Sequence, residues 1–386
     1  MIDSDVLSTD TRIEDLPTPC LLLDAERMHR NIARLKDHLQ SLGVPLRAHL
    51  KTSKSLDVAR LLMPTSSGPA TVSTLKEAEQ FAAAGVRDIL YAVGIAPTKL
   101  PRVTALRKTG IDLSIVLDSR EQAQAVVAAC RAAKERIPVL IEIDSDGDRA
   151  GIRPGNPLLV EIGRILHSGG AELRGVMTHA GGSYDHPGIQ SHVAAAEQER
   201  AAAVRCAEEL RRACLPCPVV SVGATPTAHF TRDLTGVTEV RAGVFVFMDL
   251  VMAGLGVCTL DDIALSVLAT VIGHQPEKGW VVVDAGWTAM SRDRGTAGQA
   301  VDQGYGVVCD PEGRPYPDLI VTNVNQEHGI LSIRKGSGAK LPPLPVGSLV
   351  RILPNHACAT ATQFGCYHVL GDEGTITDVW PRFSGW

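Results

Sequence analysis

The part of the sequence from about residue 20 to residue 255 alternates between two textures, and this alternation constrains the fold more than any other feature. Short runs rich in β-branched residues are followed by stretches rich in Ala, Glu, Arg and Leu with helical periodicity. Such an alternation is typical of βαβ units and predicts parallel strands. The predicted strands are 20–24, 46–51, 70–74, 89–93, 113–118, 139–144, 173–179, 219–223 and 238–243, with helices at 25–42, 76–84, 120–134 and 191–213.

Nine strands are one more than a (β/α)8 barrel needs. Either the sheet is open and doubly wound, or one strand belongs elsewhere, and the first strand is the candidate. After about residue 256 the helical periodicity nearly disappears, and apolar runs such as 263–272, 280–284 and 348–353 are separated by Gly and Pro. This pattern predicts a second, mostly antiparallel domain, with an exposed loop at 335–346.

Charge and hydropathy exclude several classes of function. The 386 residues carry 38 Lys and Arg against 43 Asp and Glu, so the chain lacks the basic surface typical of nucleic-acid or anionic-membrane binding. Its apolar runs are far shorter than the roughly 20 residues of a membrane-spanning helix. The acidic N-terminus lacks a secretory signal and the nine cysteines are sparse, so we expect a cytoplasmic protein with free thiols. Its partners should be small molecules or further copies of itself.

Polar side chains at the ends of the predicted strands are the first candidates for function, because parallel barrels place their chemistry there. The second strand carries Arg47, His49 and Lys51 at alternate positions, which predicts that all three lie on one face. A lysine at a partly buried strand end has a lowered pKa and is nucleophilic enough to form a Schiff base. The pattern is equally consistent with a lysine that reaches solvent along the edge of a strand.

Three further strand ends carry features that suit an anionic ligand. His179 is followed by a Gly-rich turn at 180–184, and a similar turn, 223–227, follows the next strand. Together with Gly243 and Val244 after the last strand, such turns can form the phosphate-binding cup that is common in barrels. Arg241 ends that last strand, where it either faces a ligand or forms an ion pair with Glu239 or Asp249.

Metal-binding spacing occurs in the C-terminal part of the chain. His356 and Cys358 follow a predicted strand and project from the same side of an extended chain, so they could share a metal ion. Two protein ligands leave open positions, which suits a catalytic metal. Cys214 and Cys217 have no second pair, and the acidic run 144–148 lacks the Glu that completes an EF-hand, so we assign neither to a metal.

These strand ends coincide with motifs spread over essentially the whole chain. In order, they are DLPTPCLLLD, LRAHLKTSKS, TVSTLKEAE, IEIDSDGDRAG, VMTHAGGSY, SVGATPT, EVRAGVFVFMD, NQEHG and PNHAC. With them the chain resembles the fold-type III pyridoxal phosphate (PLP) enzymes of the D-serine dehydratase and D-threonine aldolase group. The resemblance implies an alanine racemase-like (β/α)8 barrel at 27–255. It also implies a mostly antiparallel β domain, formed by 1–26 and 256–386, that includes the first strand and carries the metal site.

The resemblance also implies roles for the candidate residues. Lys51 matches the lysine that binds PLP covalently and acts in catalysis, and His179 matches the residue packed on the cofactor ring. Arg241 matches the arginine that faces the pyridine nitrogen, and His356 and Cys358 match the metal ligands of the dehydratases. The remaining matches are to cofactor contacts: Arg149 near the phenolic oxygen, Tyr184 near the ring, and Gly223, Thr225, Gly243 and Val244 at the phosphate.

The activity that the resemblance implies is a dehydration with PLP and a divalent metal (Zn, Mn, Co or Mg). D-3-hydroxy amino acids such as D-threo-3-hydroxyaspartate, D-serine or D-threonine would give 2-oxo acids and ammonia. The alternative is the aldolase reaction, which yields glycine and an aldehyde. Aldolases of the group carry His-x-Asp where this chain has His356-x-Cys358, which favours the dehydratase. A homodimer is also implied by the resemblance.

Two positions depart from the usual family motifs around the lysine. Ala48 and Ser53 stand where Pro and His are usual, as in the branch of the family that acts on 3-hydroxyaspartate. These departures leave the cofactor assignment intact and indicate a substrate other than plain D-serine. The roles of Glu327 and His328, in the NQEHG motif, stay open.

Overall fold

The computed structural model describes residues 11–386 and divides the chain into two units. One unit contains residues 11–32 together with Val244–Arg382, and the other contains Ala33–Gly243 with Phe383–Trp386. The first ten residues of the predicted segment 1–26 lie outside the described residues. The first strand, β1 (Cys20–Asp24), is apolar and buried up to its last residue, and the helix α1 (Ala25–Ser41) follows directly. The division between the units falls within this helix.

The unit 33–243 is built on seven consecutive parallel strands. They are β2 (Ala70–Val72), β3 (Asp88–Gly94), β4 (Asp112–Leu117), β5 (Pro138–Ile143), β6 (Glu172–Thr178), β7 (Val219–Val222) and β8 (Glu239–Val240), each paired in parallel with the next. Its helices are α2 (Leu56–Leu62), α3 (Leu75–Ala83), α4 (Leu100–Arg107), α5 (Arg120–Ala133), α6 (Leu158–Gly169), α7 (Ile189–Arg212) and α8 (Thr225–Phe230). β5 is buried at every position, as expected for a parallel strand covered on both faces.

The predicted strand 46–51 closes this sheet into a barrel without forming a regular strand. Leu46 bridges Val240 of β8, and His49 bridges Thr71 of β2, both in parallel. Backbone N–H groups of the segment donate to both edge strands at 2.8 Å. Because it pairs with β8 through its first residues and with β2 through its last, it makes one bridge to each strand instead of a ladder. The segment occupies the eighth position, and the predicted (β/α)8 barrel is confirmed.

Apolar side chains and helix caps stabilise this unit. One core cluster joins Leu90, Val116, Leu140 and Met177 from four consecutive strands. The helix α5 begins after Ser119, whose hydroxyl accepts a hydrogen bond from the N–H of the third helical residue. Such a cap satisfies a donor that the helix itself leaves free. Strand and helix ends are therefore fixed at the edge of the barrel where the candidate residues lie.

The other unit is an antiparallel β barrel. Its further strands are β9 (Leu265–Gln275), β10 (Trp280–Val283), β11 (Gly306–Cys309), β12 (Pro315–Val324), β13 (Gly329–Ile333), β14 (Leu349–Pro354), β15 (Cys366–Leu370) and β16 (Ile376–Pro381). The order β10-β13-β12-β11-β14-β9 closes on itself, because β9 also pairs with β10. β1 pairs with β9 and β15, so the first strand belongs to this sheet, as predicted.

Three short helices complete the β unit: α9 (Leu250–Gly254), α10 (Trp287–Met290) and α11 (Ala357–Ala361). The predicted loop 335–346 connects β13 to β14 and is mostly exposed, as expected. None of the helices described between residues 11 and 386 is long and apolar enough to cross a membrane.

Candidate active site

Lys51 lies in the turn that follows the barrel-closing segment, and its side chain is exposed. The turn is anchored at Lys54, whose carbonyl oxygen accepts a hydrogen bond from the N–H of Phe383 at 3.0 Å. The ammonium group of Lys54 also lies 3.4 Å from the carboxylate of the buried Glu77. The turn is thus held at both its backbone and a side chain, while the amine of Lys51 remains accessible for covalent chemistry.

The basic face predicted for the segment 46–51 does not form. Arg47 makes a bidentate ion pair with Asp88, at 2.8 and 3.1 Å, and its Nε donates to Glu239 at 2.7 Å. This arginine is therefore part of the framework of the barrel. The reason is that Asp88, at the start of β3, and Glu239, at the start of β8, offer carboxylates to a side chain that would otherwise be buried without a partner.

Two imidazoles near Lys51 are held neutral. Burial lowers the pKa of His49 well below its ordinary value, and the charges of Lys51 and Arg241 lower it further. Burial also lowers the pKa of His179 to about 3, and the same two cations and Arg149 contribute. The structure therefore places three cationic predicted residues, Lys51, Arg149 and Arg241, around the neutral ring of His179, and their positive charge suits an anionic ligand.

Arg241 is held inside the barrel by the ends of two neighbouring strands. It is 3% exposed, its Nε donates to the hydroxyl of Ser221 at 2.8 Å, and its Nη2 donates to the carbonyl of Thr178. Ser221 in turn donates to Glu239 at 2.7 Å. The sequence offered an ion pair of Arg241 with Glu239 as one alternative. In the structure the two side chains are instead linked through the hydroxyl of Ser221. The other proposed partner, Asp249, accepts hydrogen bonds from backbone N–H groups at the start of two short helices.

The turn after β6 carries a second group of predicted residues. Nδ1 of His179 lies 3.0 Å from the carbonyl oxygen of Gly223, and its ring centroid lies 6.2 Å from that of Tyr184. Arg149 is mostly exposed, and its Nη2 is 3.8 Å from a carboxylate oxygen of Glu142. His179 and Tyr184 thus lie close together, and the charge of Arg149 acts on His179, while the cofactor contacts of all three stay predictions.

The predicted phosphate-binding residues follow β7 and β8. Oγ1 of Thr225 is buried and has no hydrogen-bond partner among residues 11–386, which is the state expected of a group that binds an absent anion. Gly223 has φ of 141°, and a Cβ there would collide with the backbone of Arg241. Gly243 lies against His49, whose carbonyl oxygen would be 3.2 Å from an added Cβ. Val244 follows directly in sequence, is buried, and begins the other unit.

Glu199, on α7, is a central residue of this site that sequence reasoning missed. Its buried carboxylate accepts hydrogen bonds from the backbone N–H groups of Ala180 and Gly223 at 3.0 and 2.9 Å, and from Oγ1 of Thr227 at 2.8 Å. Burial raises the pKa of Glu199, while these donors and Arg241 act against that shift. A helix rich in Glu and Arg gave no signal that one of its carboxylates is buried.

The predicted metal ligands lie in the β unit, at the start of α11. Nδ1 of His356 is 2.6 Å from Oδ2 of Asp293, a residue that the sequence did not suggest. Burial lowers the pKa of His356, but hydrogen bonds with Asp293 and Cys358 outweigh this effect and raise it to about 11. Asp249 fixes the same segment by accepting the N–H of Ala357 at 3.0 Å.

The donor set at His356 fits a divalent metal with open positions. His356 lies beside Asp293 and Cys358, and both neighbours favour its positively charged form, so this position also suits a metal cation. Imidazole with thiolate is a common ligand pair for Zn²⁺. Within residues 11–386 no group of three or more His, Cys, Asp or Glu side chains is arranged to hold a metal. A metal at His356 and Cys358 would therefore rely on water or substrate for its other ligands.

The remaining sequence candidates lie outside these two clusters. Cys214 is exposed and Cys217 is buried, and both are free thiols. Glu327 accepts a hydrogen bond from Thr288 at 2.8 Å, and the carbonyl of His328 accepts one from Asn325 at 2.8 Å. Because Thr288 lies in α10, the first contact ties the NQEHG motif to that helix, and the roles of Glu327 and His328 stay open.

Comparison with known proteins identifies the family. Residues 23–251 match the model of the alanine racemase N-terminal domain, and residues 264–370 match a putative serine dehydratase domain. The D-threo-3-hydroxyaspartate dehydratase of Delftia sp. (strain HT23) is 54% identical, over 96% of this chain and 98% of its own. The D-serine dehydratase of Dictyostelium discoideum is 28% identical, over 97% and 98%. The D-threonine aldolase of Arthrobacter sp. is 26% identical, over 94% and 91%.

Solved structures agree with these relationships. The Delftia dehydratase superimposes with a TM-score of 0.94 at 54% identity, over 97% of this chain and all of that one. Two further structures of a D-threo-3-hydroxyaspartate dehydratase, each 53% identical to this chain, carry a cysteine-to-alanine substitution, in a metal-free form, and a histidine-to-alanine substitution two positions earlier. The chain belongs to the fold-type III pyridoxal phosphate enzymes of the family that contains the D-serine dehydratases and D-threonine aldolases.

Proposed function

We propose that the chain is a PLP- and divalent-metal-dependent dehydratase that converts D-3-hydroxy amino acids, above all D-threo-3-hydroxyaspartate, to 2-oxo acids and ammonia. The observation that carries the proposal is the likeness to D-threo-3-hydroxyaspartate dehydratase along nearly the whole chain. The elimination loses one water and the hydrolysis that follows takes one up. Each substrate molecule therefore yields one oxo acid and one ammonia.

The residues at the barrel edge fit PLP. Lys51 offers an accessible amine, and the unpaired hydroxyl of Thr225 offers a buried donor for a phosphate oxygen. When bound, PLP acts as the electron sink that acidifies the α-proton of an amino acid. Lys51, once its amine is free, would take that proton as general base.

The two polar side chains around the ring have different tasks. His179 is neutral over the whole physiological range, since its pKa is about 3, and so it presents an uncharged face to an aromatic ring. Arg241 keeps its proton, because a guanidinium is not deprotonated in proteins. It would therefore donate a hydrogen bond to a pyridine nitrogen without transferring a proton to it.

His356 and Cys358 would hold the metal. Their spacing equals that of the histidine and cysteine substituted in two structures of a D-threo-3-hydroxyaspartate dehydratase, one of which is metal-free. A divalent metal at a site with open positions supplies a Lewis acid that turns a hydroxyl into a better leaving group. The choice among Zn, Mn, Co and Mg stays a prediction, and the thiolate favours Zn or Co over Mg.

The aldolase reaction is the alternative for this family. The relationship to the Arthrobacter aldolase covers most of the chain but at about half the identity of the dehydratase. Cys358, where the aldolases carry Asp, supports dehydration. A homodimer, implied by the resemblance, is also part of the proposal, and sedimentation velocity of the PLP-loaded protein tests it. A cytoplasmic location stays a prediction.

The test is to incubate the PLP-loaded enzyme and a divalent metal with D-threo-3-hydroxyaspartate, D-serine and D-threonine separately. Ammonia, 2-oxo acid and aldehyde are measured together. We expect oxo acid with equimolar ammonia, lost on adding a chelator and in Cys358→Ala, but retained in a matched Cys214→Ala variant whose thiol is exposed and lies in the other unit. Glycine and acetaldehyde from D-threonine, without ammonia, would instead identify an aldolase.

A further inference from the structure

We propose that Glu199 is a positioning residue that ties the turn after β6 to the turn after β7, so that His179 and the phosphate-binding turn keep a fixed spacing for PLP. The inference rests on the proposed function, because it concerns the same cofactor. The described hydrogen bonds of Glu199 go to Ala180, Gly223 and Thr227, not to Lys51 or to the side chain of His179. It acts through the backbone of the two turns that carry the predicted cofactor contacts.

The carboxylate of Glu199 is placed between the two turns. It is 2% exposed and belongs to α7, the helix that connects β6 to β7. One oxygen accepts the N–H of Ala180, directly after His179, and also the N–H of Gly223, directly after β7. Both contacts are made by the same atom, Oε1, so this atom joins two turns that are more than 40 residues apart in sequence.

The second oxygen fixes the turn after β7 at a further point. It accepts the hydroxyl of Thr227 at 2.8 Å, and the same hydroxyl accepts the N–H of Ala224 at 3.1 Å. Between Ala224 and Thr227 lies Thr225, whose buried hydroxyl is the unpaired donor assigned to the phosphate. Glu199 thus holds the turn on both sides of that hydroxyl.

Gly223 links this anchor to the ring of His179. Its N–H donates to Glu199, while its carbonyl oxygen lies 3.0 Å from Nδ1 of His179. Because a carbonyl oxygen only accepts, Nδ1 carries the proton and Nε2 is left without one. The tautomer and the plane of His179 consequently depend on where Glu199 holds Gly223.

This arrangement revises the expected role of Gly223. Its N–H is already used by a carboxylate, so it is not a free donor to a phosphate oxygen. Its contribution is conformational, since a φ of 141° and the nearness of the Arg241 backbone exclude a side chain. The donor for the phosphate is Thr225, and Glu199 is the group that sets its position.

Substitutions of Glu199 separate positioning from simple stability. Glu199→Gln keeps an oxygen for both backbone N–H groups, and its amide can donate to Thr227, whose hydroxyl can turn to the carbonyl of Ala224 at 3.2 Å. Glu199→Ala leaves two buried N–H groups and a hydroxyl without an acceptor. The matched control is Arg174→Ala, which removes an ion pair with Asp112 at the beginning of β6, at the end of the strand away from His179.

The experiment measures the Kd for PLP by absorbance titration of the apo-protein, the visible circular dichroism of the bound cofactor, and the melting temperature of each variant. We expect Glu199→Ala to bind PLP about 10- to 100-fold more weakly, with altered dichroism, because unpaired buried groups displace the turns. Glu199→Gln should stay within a few-fold of the wild type. Arg174→Ala should melt earlier with an unchanged Kd and dichroism.

Equal PLP affinity and dichroism in the wild type and Glu199→Ala would overturn the inference and leave the proposed function standing. A wild-type protein that takes up no PLP would overturn the proposed function, and the inference with it. If Glu199→Ala does not fold, Glu199→Asp decides. Its carboxylate is drawn back by one methylene and no longer spans the turns, so it must bind PLP more weakly than Glu199→Gln, and equal binding refutes the inference.

Discussion

Replacing Asp293 should weaken metal binding by the β unit while leaving its fold intact. Oδ2 of Asp293 lies 2.6 Å from Nδ1 of His356, so the carboxylate fixes the ring and would leave the other nitrogen, Nε2, to bind a metal. It also increases the basicity of the imidazole. An aspartate at this position is therefore expected to contribute to affinity without touching the metal itself.

The magnitude follows from the kind of hydrogen bond that is lost. A bond to a charged group contributes about 1.5–3 kcal/mol and a neutral one about 0.5–1.5 kcal/mol. Asp293→Asn keeps a neutral acceptor, so the difference is about 1–1.5 kcal/mol, which is about tenfold in affinity. The side chains of His356 and Asp293 are 42% and 32% exposed, which places the effect at the lower end of this range. Asp293→Ala removes the acceptor and should cost up to about 100-fold.

The assay is calorimetric titration of Zn²⁺ or Mn²⁺ into the metal-free protein at one fixed pH. Asp310→Asn is the matched control, because that carboxylate pairs with the exposed Arg314 at 2.7 Å in the same unit. The control should bind metal like the wild type, and Cys358→Ala should bind none. Unchanged affinity in both Asp293 variants would refute the reasoning that this carboxylate orients the histidine.

Three further predictions concern stability. Leu140→Ala empties a buried position in the core of the parallel barrel and should lower the free energy of unfolding by about 2–5 kcal/mol, measured by urea denaturation. Arg47→Ala leaves the carboxylate of Glu239, only 12% exposed, without its ion pair and should cost about 3 kcal/mol by the same measurement. Burial raises the pKa of Asp112, but hydrogen bonds from Arg174 outweigh this effect and lower it. The ionised carboxylate therefore stabilises the fold fully above its unfolded pKa of about 3.9, and this stabilisation is lost as the pH falls through the lower folded pKa. Asp112→Asn should therefore be less stable than the wild type at neutral pH and equal to it in strong acid, as thermal melts across pH will show.

Periodicity was enough to locate many of the strands and helices, whereas the choice of a barrel over an open sheet came from the family resemblance. Strands such as β5 and helices such as α7 lie within two residues of their predicted bounds, because buried apolar runs and amphipathic helices each have a strong period. The segment 46–51 was predicted as a strand, yet it makes one bridge to each edge of the sheet. Period-two alternation cannot distinguish a ladder from an extended segment that changes partners.

The candidate site was predicted only in part, for a physical reason. Residues at strand ends, such as Lys51, His179 and Arg241, are visible because topology brings the carboxyl ends of parallel strands together. Glu199 and Asp293 were missed, because each acts on a residue far away in sequence and their neighbours give no sign of burial. Alternation also predicted a basic face on the segment 46–51 that does not form. The pattern of a single strand carries no information about carboxylates on other strands, and two of these pair with Arg47.

The most direct test of the central claim is the ratio of ammonia to oxo acid formed from D-threo-3-hydroxyaspartate by the PLP- and metal-loaded protein. Aldol cleavage of this substrate gives glycine and glyoxylate with no ammonia, whereas dehydration gives ammonia and a four-carbon oxo acid. We predict equimolar ammonia and four-carbon oxo acid, no glycine, and no product with Lys51→Ala. Glycine with glyoxylate, or turnover that survives the loss of Lys51, would contradict the account.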